Sequence, residues 1–228
     1  MGGCTMESSY TESSYESSII ELFENMGYTY CYGPDFSRDF TDPIMEDQLK
    51  FSLETVNPKL PPQAIDEAIY KIKNYEAGAL VSKNEVFMDY LQNGVSVSYQ
   101  DNGKTKSTLV KLVDYDNISN NSFIVANQWT FKEYETKRVD VVIFLNGIPV
   151  VIMELKSPKD EEVTIEDAYL QIQNYMQSIE SVFIFNAFCI ISDQSQTRAG
   201  SITASLDRFM EWKTIDGNYE NQKLRSEE

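Results

Sequence analysis

The fold is decided by the stretch Arg138-Val-Asp-Val-Val-Ile-Phe-Leu-Asn-Gly-Ile-Pro-Val-Val-Ile-Met-Glu-Leu-Lys-Ser-Pro158. β-branched and aromatic residues fill both halves of this stretch, and Asn146-Gly147 lies between the halves. An Asn-Gly pair flanked by apolar runs is the strongest short-range signal for a β-hairpin. The sequence therefore predicts two buried strands joined by a tight turn.

Three charged residues interrupt this apolar hairpin: Asp140 in the first strand, and Glu154 and Lys156 in the second. Burying such a group is costly unless it is paired or binds a metal. Two carboxylates can hold Mg²⁺ among its waters, and a nearby lysine can orient the attacking water and offset the charge that builds on a phosphate. The pattern indicates a metal-dependent hydrolytic site. The alternative is an ion pair within an ordinary sheet.

The register of the hairpin tests this interpretation. With a strict two-residue loop, Leu145 would pair with Ile148, and Asp140 and Glu154 would point to opposite faces, because side chains alternate along a strand. A three-residue loop with Gly147 left-handed, or a bulge elsewhere in the hairpin, would place both carboxylates on one face. We predict such a bulge, with the three-residue loop as the first choice.

Length, charge and composition limit the function. The 228 residues are enough for one α/β domain, and the net charge is −17 with no histidine, which excludes histidine-based catalysis and histidine zinc ligands. Such acidity argues against broad non-specific nucleic-acid binding. The three cysteines (Cys4, Cys31 and Cys189) are widely spaced and indicate neither a disulfide framework nor a zinc site. No membrane segment or signal peptide is predicted, so we expect a cytoplasmic protein.

The remaining elements are predicted from hydrophobic periodicity and turn signals. Residues 1–10 are predicted to be disordered, and a polar insertion with three helices is expected over residues 34–93. Helices are expected elsewhere over 11–26, from Thr164 onward and over 204–212. Strands are expected over 28–32, 95–99, 105–115, 182–185 and 188–192, and segments 123–126 and 129–131 are expected to form either a strand pair or one long strand. Residues 159–162 are predicted to form an exposed loop.

Three further residues are candidates for the site. Glu16 in the first helix is a candidate extra metal-site carboxylate if it faces the sheet; otherwise it is solvated like its neighbours. Gln171 and Tyr175 are one turn apart on the flank of the amphipathic helix after Thr164, within reach of the sheet edge where Glu154 and Lys156 end. The alternative is a surface glutamine beside a half-buried tyrosine.

One motif resembles a nucleotide-binding loop only superficially. Gly103-Lys104-Thr105 copies the end of a phosphate-binding loop, but Ser98 occupies the position of the first glycine, and the context is strand, turn, strand. We do not expect an ATP site there.

Several motifs together resemble a known family. The spacing of Asp140, Glu154 and Lys156 matches the pattern of PD-(D/E)XK nucleases. The complete set resembles the N-terminal nuclease region of the restriction (motor) subunit of type I restriction-modification enzymes. These motifs are Asn127-Gln128-Trp129, Arg138-Val-Asp140, Asn146-Gly147-Ile-Pro149, Glu154-Leu-Lys156, Gln171-x-x-x-Tyr175, Phe185-Asn186 and Arg208-Phe-x-x-Trp212-Lys. Val139 stands where the pattern has proline, a departure that affects turn geometry more than chemistry.

The resemblance implies an α/β fold of the restriction-endonuclease type, with a mixed central sheet flanked by helices and an endonuclease domain over residues 11–213. It implies Mg²⁺-dependent cleavage of double-stranded DNA, with Asp140, Glu154 and the Leu155 carbonyl as metal ligands and Lys156 as the catalytic lysine. Gln171 and Tyr175 would be the accessory pair that positions DNA, and Glu16 would match a glutamate of the first helix.

The same resemblance implies partners outside this sequence. They are the methyltransferase and specificity subunits of a type I complex. The helicase motifs are absent from residues 1–228, so ATP would serve only a downstream motor domain, to which the polar residues 214–228 would lead. Two alternatives stay open: a non-catalytic module of the same fold that docks the motor and the methyltransferase, and an unrelated acidic interaction domain.

Overall fold

The computed structural model describes residues 12–156, 164–193 and 195–211. Within these ranges, seven strands form one mixed sheet. In their order across the sheet, the strands are β1 (Thr29–Tyr32), β4 (Phe123–Lys132), β5 (Thr136–Leu145), β6 (Ile148–Leu155), β7 (Phe188–Ser192), β8 (Thr197–Gly200) and β9 (Met210–Glu211). β1 runs parallel to β4 and β6 parallel to β7, whereas the other neighbours are antiparallel. This mixed sheet confirms the predicted fold class.

Helices cover both faces of the sheet and enclose two hydrophobic cores. Their bounds are α1 (Glu12–Asn25), α2 (Glu46–Val56), α3 (Pro62–Lys73), α4 (Leu80–Asn93), α5 (Ile165–Ser178) and the short α6 (Glu180–Phe183). Ile20 of α1 packs with α2, α3 and α4 in one core, together with Val141 and Met153. The apolar stripe of α5 packs on the other face, against Val142 and Ile152. The central hairpin β5–β6 therefore separates the two cores.

The predicted helical insertion is confirmed as α2, α3 and α4, followed by a separate two-stranded sheet of β2 (Val95–Asp101) and β3 (Lys104–Val110). The insertion is anchored on the turn of the central hairpin, because the N–H of Met45 donates to the carbonyl of Gly147 at 2.9 Å. Gly147 has a φ of +85°, and a Cβ there would lie 2.7 Å from both Leu49 N and Met45 O. Only glycine fits this close approach.

Two predicted elements are wrong. Residues 182–185 were expected to be extended, but α6 covers Glu180–Phe183, and the amide of Asn84 donates to the carbonyls of Phe183, Ile184 and Asn186. The apolar side chains are buried as expected, but a turn held by these hydrogen bonds buries them instead of a strand. A four-residue apolar run does not distinguish the two cases.

The helix expected over residues 204–212 is also wrong. The chain forms a short 3₁₀-helix (Leu206–Arg208) and then β9, which pairs with β8. The ring of Phe209 packs directly on Gly200, where a Cβ would lie 2.5 Å from the Phe209 Cδ2 atom. This contact holds the segment against the sheet as an extended edge. Trp212 lies outside the described residues, as do residues 1–10, the loop 159–162 and the tail 214–228.

The described part of the chain has no helix that is both long and apolar enough to cross a membrane.

Candidate active site

The turn of the central hairpin has two residues rather than three. Leu145 pairs with Ile148, and Asn146 and Gly147 both have positive φ, at 53° and 85°, as a type I′ hairpin turn requires. The predicted three-residue loop is therefore wrong. The predicted second possibility, a bulge elsewhere, is confirmed: Phe144 pairs with Pro149 but Ile143 pairs with Val151, which leaves Val150 without a partner across the ladder.

This bulge shifts the register by one residue and brings the two acidic positions level. Beyond it, Val141 pairs with Met153, so the next position places Asp140 beside Glu154. The Asp140 carboxylate accepts the backbone N–H of Leu155 at 2.8 Å. A side chain here takes the role that a strand carbonyl has elsewhere in the ladder. Asp140 is thereby fixed at the end of the paired part of the hairpin.

Glu154 is the most deeply buried charged residue of the site, with 3% of its surface exposed. Its Oε1 accepts from the Lys156 ammonium at 2.5 Å, and its Oε2 accepts from the Tyr175 hydroxyl at 3.0 Å. The structure therefore brings Asp140, Glu154, Lys156 and Tyr175 together at one end of the hairpin. A charged acceptor with two donors on separate oxygens is held in one orientation.

Burial dominates the electrostatics of this cluster. It raises the pKa of Glu154 above its ordinary value, while the hydrogen bond and charge of Lys156 and the hydrogen bond from Tyr175 act in the lowering direction. Burial also raises the pKa of the Tyr175 phenol, and the charge of Glu154 adds to that effect. Tyr175 is therefore a neutral hydrogen-bond donor at physiological pH.

Helix α5 brings the accessory pair to the site. It begins after Thr164, which forms the predicted capping box with Asp167. The Tyr175 hydroxyl lies 3.2 Å from the carbonyl of Arg138 as well as 3.0 Å from Glu154. Gln171, one turn earlier, is half-buried and hydrogen-bonded to Tyr175. Tyr175 is thus in contact with the strand ends that carry the acidic residues, and Gln171 reaches them through Tyr175.

Glu16 faces the sheet and is 8% exposed, so the solvated alternative is wrong for this residue. Its two carboxylate oxygens accept from the side-chain amides of Asn127 at 2.6 Å and Gln128 at 2.5 Å. It is therefore held by β4, the neighbour of the strand that carries Asp140.

Asn127 and Gln128 belong to one motif of the family resemblance, but the sequence did not identify them as candidate site residues. The available signal was a polar pair in the middle of an otherwise apolar strand, a placement that requires hydrogen-bond partners once the strand is buried.

The donor set of the site suits a hard divalent cation. Mg²⁺ is usually held by one or two carboxylates, with water and substrate phosphate oxygens completing its shell. Asp140 and Glu154 provide such a pair, and the Leu155 carbonyl is adjacent in the chain. Within the described ranges, no group of three or more histidine, cysteine, aspartate or glutamate residues is placed to hold a metal ion. A Mg²⁺ ion held by two carboxylates typically keeps several of its waters.

Comparison with known proteins gives one consistent family. The family described as "Type I restriction enzyme R protein N terminus" matches residues 9–208. The HindI type I restriction enzyme endonuclease subunit of Haemophilus influenzae is 33% identical over 223 residues, which cover 93% of this chain and 21% of that protein.

Two further relatives agree. The putative MjaIXP endonuclease subunit of Methanocaldococcus jannaschii is 30% identical over 213 residues, covering 89% of this chain and 20% of that protein. The EcoprrI endonuclease subunit of Escherichia coli is 29% identical over 148 residues, covering 61% of this chain and 44% of that protein. The chain thus spans about a fifth of the length of the first two relatives.

Proposed function

Since the chain belongs to the family of type I restriction enzyme R protein N termini, we propose that it is the endonuclease domain of such a subunit and hydrolyses double-stranded DNA in a Mg²⁺-dependent reaction. The observation that carries this proposal is the convergence of Asp140 and Glu154 at the end of the bulged hairpin, with the Lys156 ammonium on Glu154. The alternative, a non-catalytic docking module, would be favoured if the two carboxylates pointed apart. They lie together instead.

Asp140, Glu154 and the Leu155 carbonyl would hold the cation. Once bound, Mg²⁺ supplies a water of lowered pKa and a counter-charge for the scissile phosphate. The protein contributes orientation. The Leu155 N–H fixes the Asp140 carboxylate, and the Tyr175 hydroxyl fixes Oε2 of Glu154. These contacts set the direction of the oxygen donors before any substrate arrives, and such support from outside the ligand shell typically affects metal affinity or activity by about 10- to 100-fold.

Lys156 would act on the substrate side. Its side chain is 20% exposed, so Lys156 is accessible from solvent while its ammonium contacts the buried Glu154. An ammonium in this position can orient the attacking water and stabilise the negative charge that develops on the phosphate oxygens in the transition state. Tyr175 contacts the same strand ends, and together with Gln171 it is proposed to position the DNA backbone or to support the site.

The charge of the domain argues that other parts of the enzyme hold the DNA. A net charge of −17 opposes association with a polyanion. We therefore propose that an ATP-driven motor in the same subunit, together with the methyltransferase and specificity subunits, delivers DNA to this site in the cytoplasm. The isolated domain is then expected to cut slowly or not at all.

The test is cleavage by the full-length subunit, assembled with its partner subunits, carrying Asp140→Asn. Asparagine keeps an oxygen that can accept from the Leu155 N–H but removes the charge that would hold the cation. We expect cleavage to fall by at least about 100-fold, in line with the loss of a charged group that acts on the transition state. ATP turnover is expected to stay at the wild-type level. Cleavage at the wild-type rate by this variant would refute the proposed function.

A further inference from the structure

The Glu16 carboxylate lies almost completely inside the protein, at the contact between α1 and β4. A buried carboxyl group in such a place needs hydrogen-bond partners for its oxygens. Asn127 supplies one and Gln128 the other. Asn127 is itself oriented, because its Oδ1 accepts from the Tyr30 hydroxyl at 3.0 Å. The two amides therefore hold Glu16 in a defined orientation.

Consecutive residues of a regular strand cannot both reach one carboxylate, because their side chains point to opposite faces. Gln128 breaks this alternation with a φ of +51°, an uncommon conformation for a residue other than glycine. The packing shows the same break: Ala126 and Trp129, three positions apart, both lie in the core under α5. The left-handed backbone of Gln128 is what allows two neighbouring amides to converge on Glu16.

The irregular backbone at Gln128 lies beside the candidate site. Asn127 pairs with Val141 and Trp129 pairs with Val139, so Gln128 is level with Asp140 on the adjacent strand. A strained backbone conformation costs about 1–3 kcal/mol and persists only where the surrounding structure imposes it. Its position next to the metal-site aspartate suggests that the strain serves the site.

The first turn of α1 is also attached to β7, the strand next to β6. The Tyr15 hydroxyl is 2.6 Å from Oγ of Ser192 in β7. Ser192 pairs with Leu155, and its carbonyl accepts the N–H of Lys156 at 2.8 Å. Tyr15 and Glu16 are thus attached to β7 and β4, the two strands that flank the β5–β6 hairpin. This arrangement keeps Glu16 at the end of the sheet where Asp140 and Glu154 lie.

We propose that Asn127 and Gln128 are positioning residues for DNA cleavage, which hold the Glu16 side chain at the edge of the Asp140–Glu154 site. This inference rests on the proposed function. Both Glu16 oxygens already accept from these two amides, so we assign Glu16 a hydrogen-bonding role at the edge of the site rather than that of a direct metal ligand. Asn127 and Gln128 act through Glu16 and do not touch the reacting atoms.

The experiment compares four variants of the full-length subunit in its complex. Gln128→Ala and Asn127→Ala each remove one amide. The double variant Glu16→Gln with Gln128→Glu exchanges the carboxylate and the amide, so the hydrogen bond is kept but the charge is moved to β4. Gln100→Ala is the matched control, because the Gln100 amide donates to Thr105 in the exposed β2–β3 hairpin, away from the site. Cleavage rate, ATP turnover and the thermal unfolding midpoint of this domain are measured for each.

A positioning role gives a specific combination of results. Gln128→Ala and Asn127→Ala reduce cleavage by about 10- to 100-fold while ATP turnover stays unchanged, and Gln100→Ala cleaves at the wild-type rate. The exchanged pair recovers the unfolding midpoint relative to Gln128→Ala but not the cleavage. Wild-type cleavage by Gln128→Ala, or recovery of cleavage together with stability in the exchanged pair, overturns the inference. Asp140→Asn, assayed in parallel, separates this failure from failure of the proposed function, which alone predicts its loss of cleavage.

Discussion

Lys156→Ala is expected to abolish DNA cleavage by the full-length subunit, by about 100- to 1,000-fold or more, while ATP turnover continues. The reason is that a preorganised cation near the developing phosphate charge contributes to the transition state and not to the motor. Lys156 is suited to this role because it is the partner of Glu154 and is still partly exposed. Single-turnover cleavage and ATP hydrolysis are measured on the same preparation.

The control for this variant is Lys104→Ala. Lys104 is an exposed lysine at the turn of the β2–β3 hairpin, so its removal changes the net charge by the same amount without touching the site. It is expected to cleave at the wild-type rate. Loss of both cleavage and ATP turnover in Lys156→Ala would indicate a structural role for the lysine and would contradict our assignment.

Gly147→Ala is expected to cause the largest loss of stability among glycine substitutions with positive φ in the described chain. The left-handed conformation alone costs an alanine about 1–2 kcal/mol. A Cβ at Gly147 would also collide with the backbone at Met45 and Leu49, and overpacking of this kind costs roughly 1–3 kcal/mol more. The free energy of unfolding from urea titrations, followed by circular dichroism, measures the total.

Gly103→Ala separates the two contributions. Gly103 has a similar φ of +74°, and no heavy atom lies within 4 Å of a Cβ built there. It is expected to lose only the conformational part, about 1–2 kcal/mol. Equal losses for the two variants would show that the helical insertion does not pack on the central turn, against the hydrogen bond between Met45 and Gly147.

The central hairpin could be predicted from the sequence because its signals are local. An Asn-Gly pair between two β-branched runs specifies a turn and two buried strands without reference to the remainder of the chain. The acidic residues in those strands predicted a bulge for the same reason, since only a register shift brings both to one place. The location of the bulge at Val150 was not predictable, because a two-residue and a three-residue loop both fit the Asn-Gly pair.

The errors and omissions arise from long-range contacts. Residues 182–185 form a turn because Asn84, about 100 positions earlier, donates to the carbonyls of Phe183 and Ile184. The edge strand at Met210 depends on the contact between Phe209 and Gly200. The role of Gln128 depends on its backbone conformation and on Glu16, 112 positions away. None of these partners is apparent from local sequence patterns, which report periodicity and turn chemistry alone.

The central claim is that Asp140 and Glu154 form one cation site, and calorimetric titration of Mn²⁺ into this chain tests it most directly. Asp140→Asn is compared with wild type and with Asp101→Asn, which removes an exposed carboxylate that pairs with Lys106 in the β2–β3 hairpin. We expect one Mn²⁺ to bind per chain in the wild type and in Asp101→Asn, and this binding to be lost in Asp140→Asn. Indistinguishable titrations for the wild type and Asp140→Asn would contradict the claim.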